Sequence, residues 1–124
     1  VKSAMARILV IEDDKTHRRI IREILLPHGH DVTEAGDGKE GILLQQEHGF
    51  DLIITDILMP GMEGIETVRE LVRIYPGIRI VAISAHKDGY LEAALKFGAM
   101  EALAKPYTPN DVAACVARCL QREN

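Results

Sequence analysis

The chain reads as a doubly wound α/β domain, a parallel sheet covered by helices on both faces. Two observations lead there. The runs RILVI, DLIIT and IRIVAI are short and continuously apolar, as expected of parallel strands buried on both sides rather than strands with one wet face. Between them lie amphipathic stretches of helical period, so strand and helix signals alternate along the whole chain, which implies right-handed β-α-β crossovers.

The elements follow in order. Val1 to Ala6 precede the first strand and are set aside as an N-terminal extension, with the domain running over 7–124. RILVI (7–11) is a central strand. Asp14 or Thr16 can cap the next helix, in which Ile20, Ile21, Ile24 and Leu25 form an apolar face, and Pro27-His28-Gly29 stops it. Asp31 to Ala35 is a second strand, more polar and therefore at an edge. Asp37-Gly-Lys-Glu40 resembles a capping box, and Gly49 suits a left-handed helix end. Leu52 to Thr55 is a buried third strand. Ile65, Val68, Leu71, Val72 and Tyr75 keep helical spacing until Pro76-Gly77. Ile78 to Ile83 is the fourth strand. Asp88 to Phe97 is a weaker, alanine-rich helix ended by Gly98, and Met100 to Ala104 is the fifth strand. Thr108 caps the last helix with Pro109 at its first position, and Val112, Cys115, Val116, Cys119 and Leu120 form its apolar stripe.

Composition excludes several classes. A length of 124 residues suits one hydrophobic core. A formal charge of −4 gives no basic face for nucleic acid. The apolar runs are of strand length, so neither a membrane span nor a signal peptide is expected. Cys115 and Cys119 lie one helical turn apart and read as half-buried helix residues in a reducing, cytoplasmic setting.

The chemistry gathers at strand ends. Glu12 and Asp13 follow the first strand, Asp56 the third, Ser84 the fourth and Lys105 the fifth. Carboxyl ends of neighbouring parallel strands line one crevice, where open α/β sheets bind ligands. Clustered carboxylates repel by roughly 4 kcal/mol per pair at contact and an effective dielectric near 20. Such a set calls for a cation, and Mg2+ suits it: a hard ion that takes one or two carboxylates and shares its site with phosphate. Glu12 and Asp13 leave the strand in different directions, so one can touch a metal while the other orients a coordinated water. A carboxylate can also act as nucleophile toward phosphorus, and positioning with charge neutralisation does most of the work of phosphoryl transfer. Ser84 can donate a hydrogen bond to a phosphoryl oxygen, and Lys105 adds a positive charge beside it.

The stretches ILVIEDD, DLIITDILMPGMEG, VAISA and AKPY resemble, in order and spacing, those of response-regulator receiver domains, the CheY-like phosphoacceptors of two-component signalling. The resemblance covers essentially Arg7 to the C-terminus. It implies a flavodoxin-like strand order of 2-1-3-4-5, and phosphorylation of Asp56 by a sensor histidine kinase or histidine phosphotransfer protein. It also implies Mg2+ held by Asp13, Asp56 and the Leu58 carbonyl, with Glu12 acting through water, and Ser84 and Lys105 on the phosphoryl group. A cis Lys105–Pro106 bond and an output face on the fourth helix, fifth strand and last helix, open to homodimer formation, belong to the same implication.

Two departures stand out. Ala102 occupies a position usually taken by Tyr or Phe, so the ring whose turn reports phosphorylation is missing, and Tyr107 is not placed to replace it. Leu58 and His86 stand where water access to the phosphoryl group is commonly tuned. His17 and His48 read as solvent-facing, and His28 and His30 as loop residues. An aspartyl phosphatase would need an Asp-x-Asp nucleophile on the first strand, and a flavodoxin a Ser/Thr/Gly-rich loop there; neither is present. A receiver used as a static docking module keeps the fold without the switch.

Overall fold

A computed structural model describes residues 6–58, 64–84 and 89–122. The elements are β1 (Arg7–Ile11), α1 (Lys15–Leu25), a 3-10 turn (Leu26–His28), β2 (Asp31–Ala35), α2 (Gly38–His48), β3 (Leu52–Asp56), α3 (Gly64–Ile74), β4 (Ile80–Ser84), α4 (Tyr90–Lys96), β5 (Glu101–Ala104) and α5 (Pro109–Gln121). The strands form one parallel sheet in the order β2-β1-β3-β4-β5, the flavodoxin-like order expected.

Strand alternation divides the core into two layers. Ile8, Val10, Leu52, Ile54, Val81 and Ile83 pack with Ile21 and Leu25 of α1 and with Val112, Cys115, Val116 and Cys119 of α5. Leu9, Ile11, Ile53, Ile80 and Ala82 pack on the other face with Val68 and Leu71 of α3 and Ala94 of α4. Full burial of one such Leu or Ile side chain contributes about 1.5–3 kcal/mol. The parity also sorts the strand ends. Glu12, Asp56 and Lys105 continue the α1/α5 side, whereas Ala102, paired with Ala82, belongs to the α4 side.

The helix ends follow local chemistry. Asp14 caps α1, accepting from the Thr16 and His17 amides at 2.9 and 3.2 Å. Thr108 and Asp111 form a reciprocal capping box at α5. At α2 the box is only half formed, because Asp37 accepts from the Glu40 amide while Glu40 reaches past it to the Gly36 amide. Gly49 ends α2 at φ +69°. The Lys105–Pro106 bond is cis.

Three expectations are corrected. Ala6 is not outside the fold: it is buried, and its carbonyl accepts from the Asp31 amide at 2.9 Å, extending the β1–β2 pairing by one residue. Ile20 does not share the buried face of α1; it is 49% exposed. Ile21 and Leu25 already fill the contact with the sheet, and Ile20, about 100° round the helix from Ile21, borders an open groove against Pro109, Asn110 and Ala113. Cys115 and Cys119 are fully rather than half buried, since α5 packs against β3 and β5 and places both thiols in the core. The expected start of α4 at Asp88 falls outside the described residues.

Candidate functional site

Glu12 leaves β1 and Asp56 ends β3, on neighbouring strands and the same face of the sheet. Both are nearly sealed from solvent, at 2% and 6% exposure, so their charges must be met by protein groups or by an ion. Lys105 meets them. Its Nζ lies 3.0 Å from Asp56 Oδ2 and 3.8 Å from Glu12 Oε1. The lysine is held in turn by its backbone, whose amide donates to the Ser84 carbonyl at 2.9 Å. Asp56 Oδ1 accepts from the Leu58 amide at 3.0 Å.

Gly64 brings the start of α3 onto the same strand end. Its amide donates to the Ile57 carbonyl at 3.0 Å, and a Cβ there would sit 2.3 Å from the Asp56 carbonyl oxygen and 2.4 Å from Ile57 Cα. Only glycine allows that approach.

Glu12 is the more heavily tied carboxylate. The Asp14 amide donates to its Oε2 at 3.0 Å, and His17 Nδ1 stands 2.6 Å from its Oε1. Burial holds its carboxyl above the ordinary value of 4.5. The His17 hydrogen bond opposes this, and the neighbouring Asp56 and Asp13 carboxyls reinforce it. On the other side of the imidazole, Nε2 is hydrogen-bonded with the Tyr107 hydroxyl, the two rings stacking at 5.7 Å. Burial, followed by the charges of Glu12 and Asp56, pushes the Tyr107 phenol up to about 12.

Of the residues singled out from sequence, Glu12, Asp56 and Lys105 therefore meet directly. Ser84 is fully buried at the end of β4. Asp13 is exposed at the rim, and Leu58 is 40% exposed. His86, Met59, Gly61 and Met62 lie outside the described residues. His17 is corrected: it is half-buried inside the cluster rather than solvent-facing. Its role was detectable in principle, because it stands at the third position of α1 after the Asp14 cap, where side chains reach back over the helix start. Tyr107 offered no local signal.

The donor set tests well against a hard divalent ion. Carboxylate oxygens of Glu12 and Asp56, both buried, lie within 4.8 Å of one another, while the His17 nitrogen grouped with them is engaged with Glu12. Among the described residues, the other such group is Glu101, Cys115 and Cys119. There the Arg118 guanidinium holds the Glu101 carboxyl below its usual range, so its charge is already met.

Comparison with known proteins gives one consistent answer. The family model for the response regulator receiver domain matches residues 8–117. A response regulator receiver protein of Anaeromyxobacter sp. is 40% identical over 103 residues, covering 82% of this chain and 43% of that protein. The chemotaxis protein CheY of Thermotoga maritima is 32% identical over 108 residues, 86% of this chain and 90% of that one. Among solved structures, a receiver domain protein from Clostridium thermocellum superposes with a TM-score of 0.89 at 32% identity, over 95% of this chain and 96% of that one. The Vibrio cholerae chemotaxis protein CheY4 gives 0.87 at 28%, over 94% and 99%.

Proposed function

Since this chain belongs to the response regulator receiver domain family, we propose that it is a phosphoacceptor switch in which Asp56 takes a phosphoryl group from a phosphohistidine. The donor is a sensor histidine kinase or a histidine phosphotransfer protein. The observation that carries the reading is the sealed pair of carboxylates, Glu12 and Asp56, shared by a single lysine at 3.0 and 3.8 Å.

Asp13, Asp56 and the Leu58 carbonyl would hold Mg2+, with Glu12 acting through a water. When bound, the ion supplies positive charge against the phosphoryl oxygens. One Asp56 oxygen attacks phosphorus, the bond to the donor imidazole nitrogen breaks, and an acyl phosphate remains. Lys105, already at Asp56 Oδ2, follows the charge onto the phosphoryl group, and the Ser84 hydroxyl donates to another of its oxygens. This is a stoichiometric acceptor reaction, and the domain assists only its own phosphorylation and dephosphorylation. A cytoplasmic setting agrees with two free thiols.

The output face proposed is α4, β5 and α5, where a second copy could also dock. α4 supports this role: it has seven residues, one of them buried, between Gly89 at φ +85° and Gly98 at φ +121°. A helix with so little buried surface shifts at low cost.

Acetyl phosphate with Mg2+ should add one phosphoryl mass to the wild type and none to Asp56→Asn. Addition that survives that substitution, or excess EDTA, removes the assignment. Beryllofluoride with Mg2+ should move amide resonances from Asp56 through Ser84 into α4 and α5. Shifts confined to the metal site would favour the static docking module instead.

A further inference from the structure

We propose that His17 is a positioning residue of the acceptor site: it holds the Glu12 carboxyl group in its metal-facing orientation, and links it to Tyr107 on the loop between β5 and α5. The inference rests on the phosphoacceptor reading above and names a regulatory connection of that site.

An ionised carboxylate only accepts hydrogen bonds. In the tautomer that carries its hydrogen on Nδ1, His17 donates to Glu12 Oε1 at 2.6 Å. Nε2 is then an acceptor, and the Tyr107 hydroxyl donates to it. Tyr107 suits that part, because its phenol resists deprotonation. The three side chains thus form a directed chain, Tyr107 to His17 to Glu12, joining the start of α1, the end of β1 and the loop two residues beyond Lys105.

The chain matters because Glu12 is otherwise short of donors. It is 2% exposed, it faces the Asp56 and Asp13 carboxyls, and among the described residues its other close partners are the Asp14 amide and Lys105 at 3.8 Å. Without the imidazole, the Glu12 carboxyl group loses its closest partner and is free to turn away, which weakens its hold on a coordinated water. Outer partners that orient metal-site groups in this way are typically worth 10–100-fold in metal affinity.

The same chain gives the site an outlet. Ala102 offers no ring, and it faces the α4 side of the sheet. Tyr107 packs on the α1/α5 side, so movement of Glu12 when the site fills is felt there, through His17, rather than at the usual aromatic position.

The test uses the whole chain with 15N in the backbone and 13C in the tyrosine rings, titrated with Mg2+ and observed by NMR. In the wild type, amides of Glu12 and Asp56 should shift with Mg2+ and the Tyr107 ring should shift with the same midpoint. His17→Phe should bind Mg2+ about tenfold more weakly and silence the Tyr107 response. His17→Asn, whose amide can stand in for Nδ1–H but cannot reach Tyr107, should recover most of the affinity while Tyr107 stays silent. Tyr107→Phe should bind Mg2+ near the wild-type affinity. Equal affinity in His17→Phe and wild type, or a loss in His17→Asn as deep as in His17→Phe, overturns the positioning role. A Tyr107 ring that responds fully in His17→Asn overturns the link, and this comparison stands even if the Phe variant fails to fold. No Mg2+-dependent shift at Asp56 in the wild type would overturn the acceptor reading itself.

Discussion

Replacing Lys105 with Met removes the positive charge between two sealed carboxylates while keeping most of the side-chain volume. At 3.0 and 3.8 Å and an effective dielectric near 20, the gross attractions are roughly 5.5 and 4.4 kcal/mol. The net loss is smaller. The lysine side chain is 27% exposed, its own desolvation is recovered, and Glu12 can relieve the repulsion by taking a proton. Breaking a fully buried pair costs about 3–5 kcal/mol, and partial solvent screening brings the expected loss here to about 2 kcal/mol. For a domain of this size that is a drop of about 6–10 °C in Tm. Calorimetry in EDTA should show it. Mg2+ should then stabilise Lys105→Met more than the wild type, because the ion no longer competes with the ammonium group. A variant that melts at or above the wild-type temperature in EDTA, or gains no more than the wild type from Mg2+, would refute the view that Lys105 neutralises this cluster.

Other predictions follow from single contacts. Gly64→Ala must displace backbone at Asp56 and Ile57 and should cost about 2–3 kcal/mol, read as a lower urea midpoint; an unchanged midpoint refutes the close approach. Leu58→Asn should speed loss of the acyl phosphate severalfold, because Leu58 offers only an apolar wall to an attacking water; equal lifetimes measured by intact mass would show that water placement there is not the control. Arg118 holds the Glu101 carboxyl below its ordinary 4.5. The ion pair therefore stabilises the fold above that pH and loses its contribution as pH falls from 4.5 through the folded value. Glu101→Gln should flatten this acid limb of the stability curve by about 0.5–1 kcal/mol after allowance for solvent screening, and an unchanged limb counts against the pair.

The class of fold and the caps at Asp14 and Thr108 were legible because they depend on near neighbours: apolar period, a turn residue, an acceptor three positions before an amide; the strand order came from the family resemblance alone. The meeting of Glu12, Asp56 and Lys105 was legible for a related reason, since topology carries consecutive parallel strand ends to one edge. Ile20 shows where this stops. Its helical spacing matches a buried face, but the width of the contact with α5 decides how many rows are covered.

His17 shows the same limit within the site. Read along the chain it is a polar helix residue, and Tyr107 is 90 positions away. Sequence by itself determined the elements, the sheet and which side chains stand at its carboxyl edge, because those follow from local periodicity and from alternation along strands. Only the tertiary structure decided that Ala6 is core, that Gly64 must be glycine, and that Glu12 is held through His17 to Tyr107. Those contacts depend on how closely separate elements approach, a distance set by the packing of the whole domain and written in no single stretch of it.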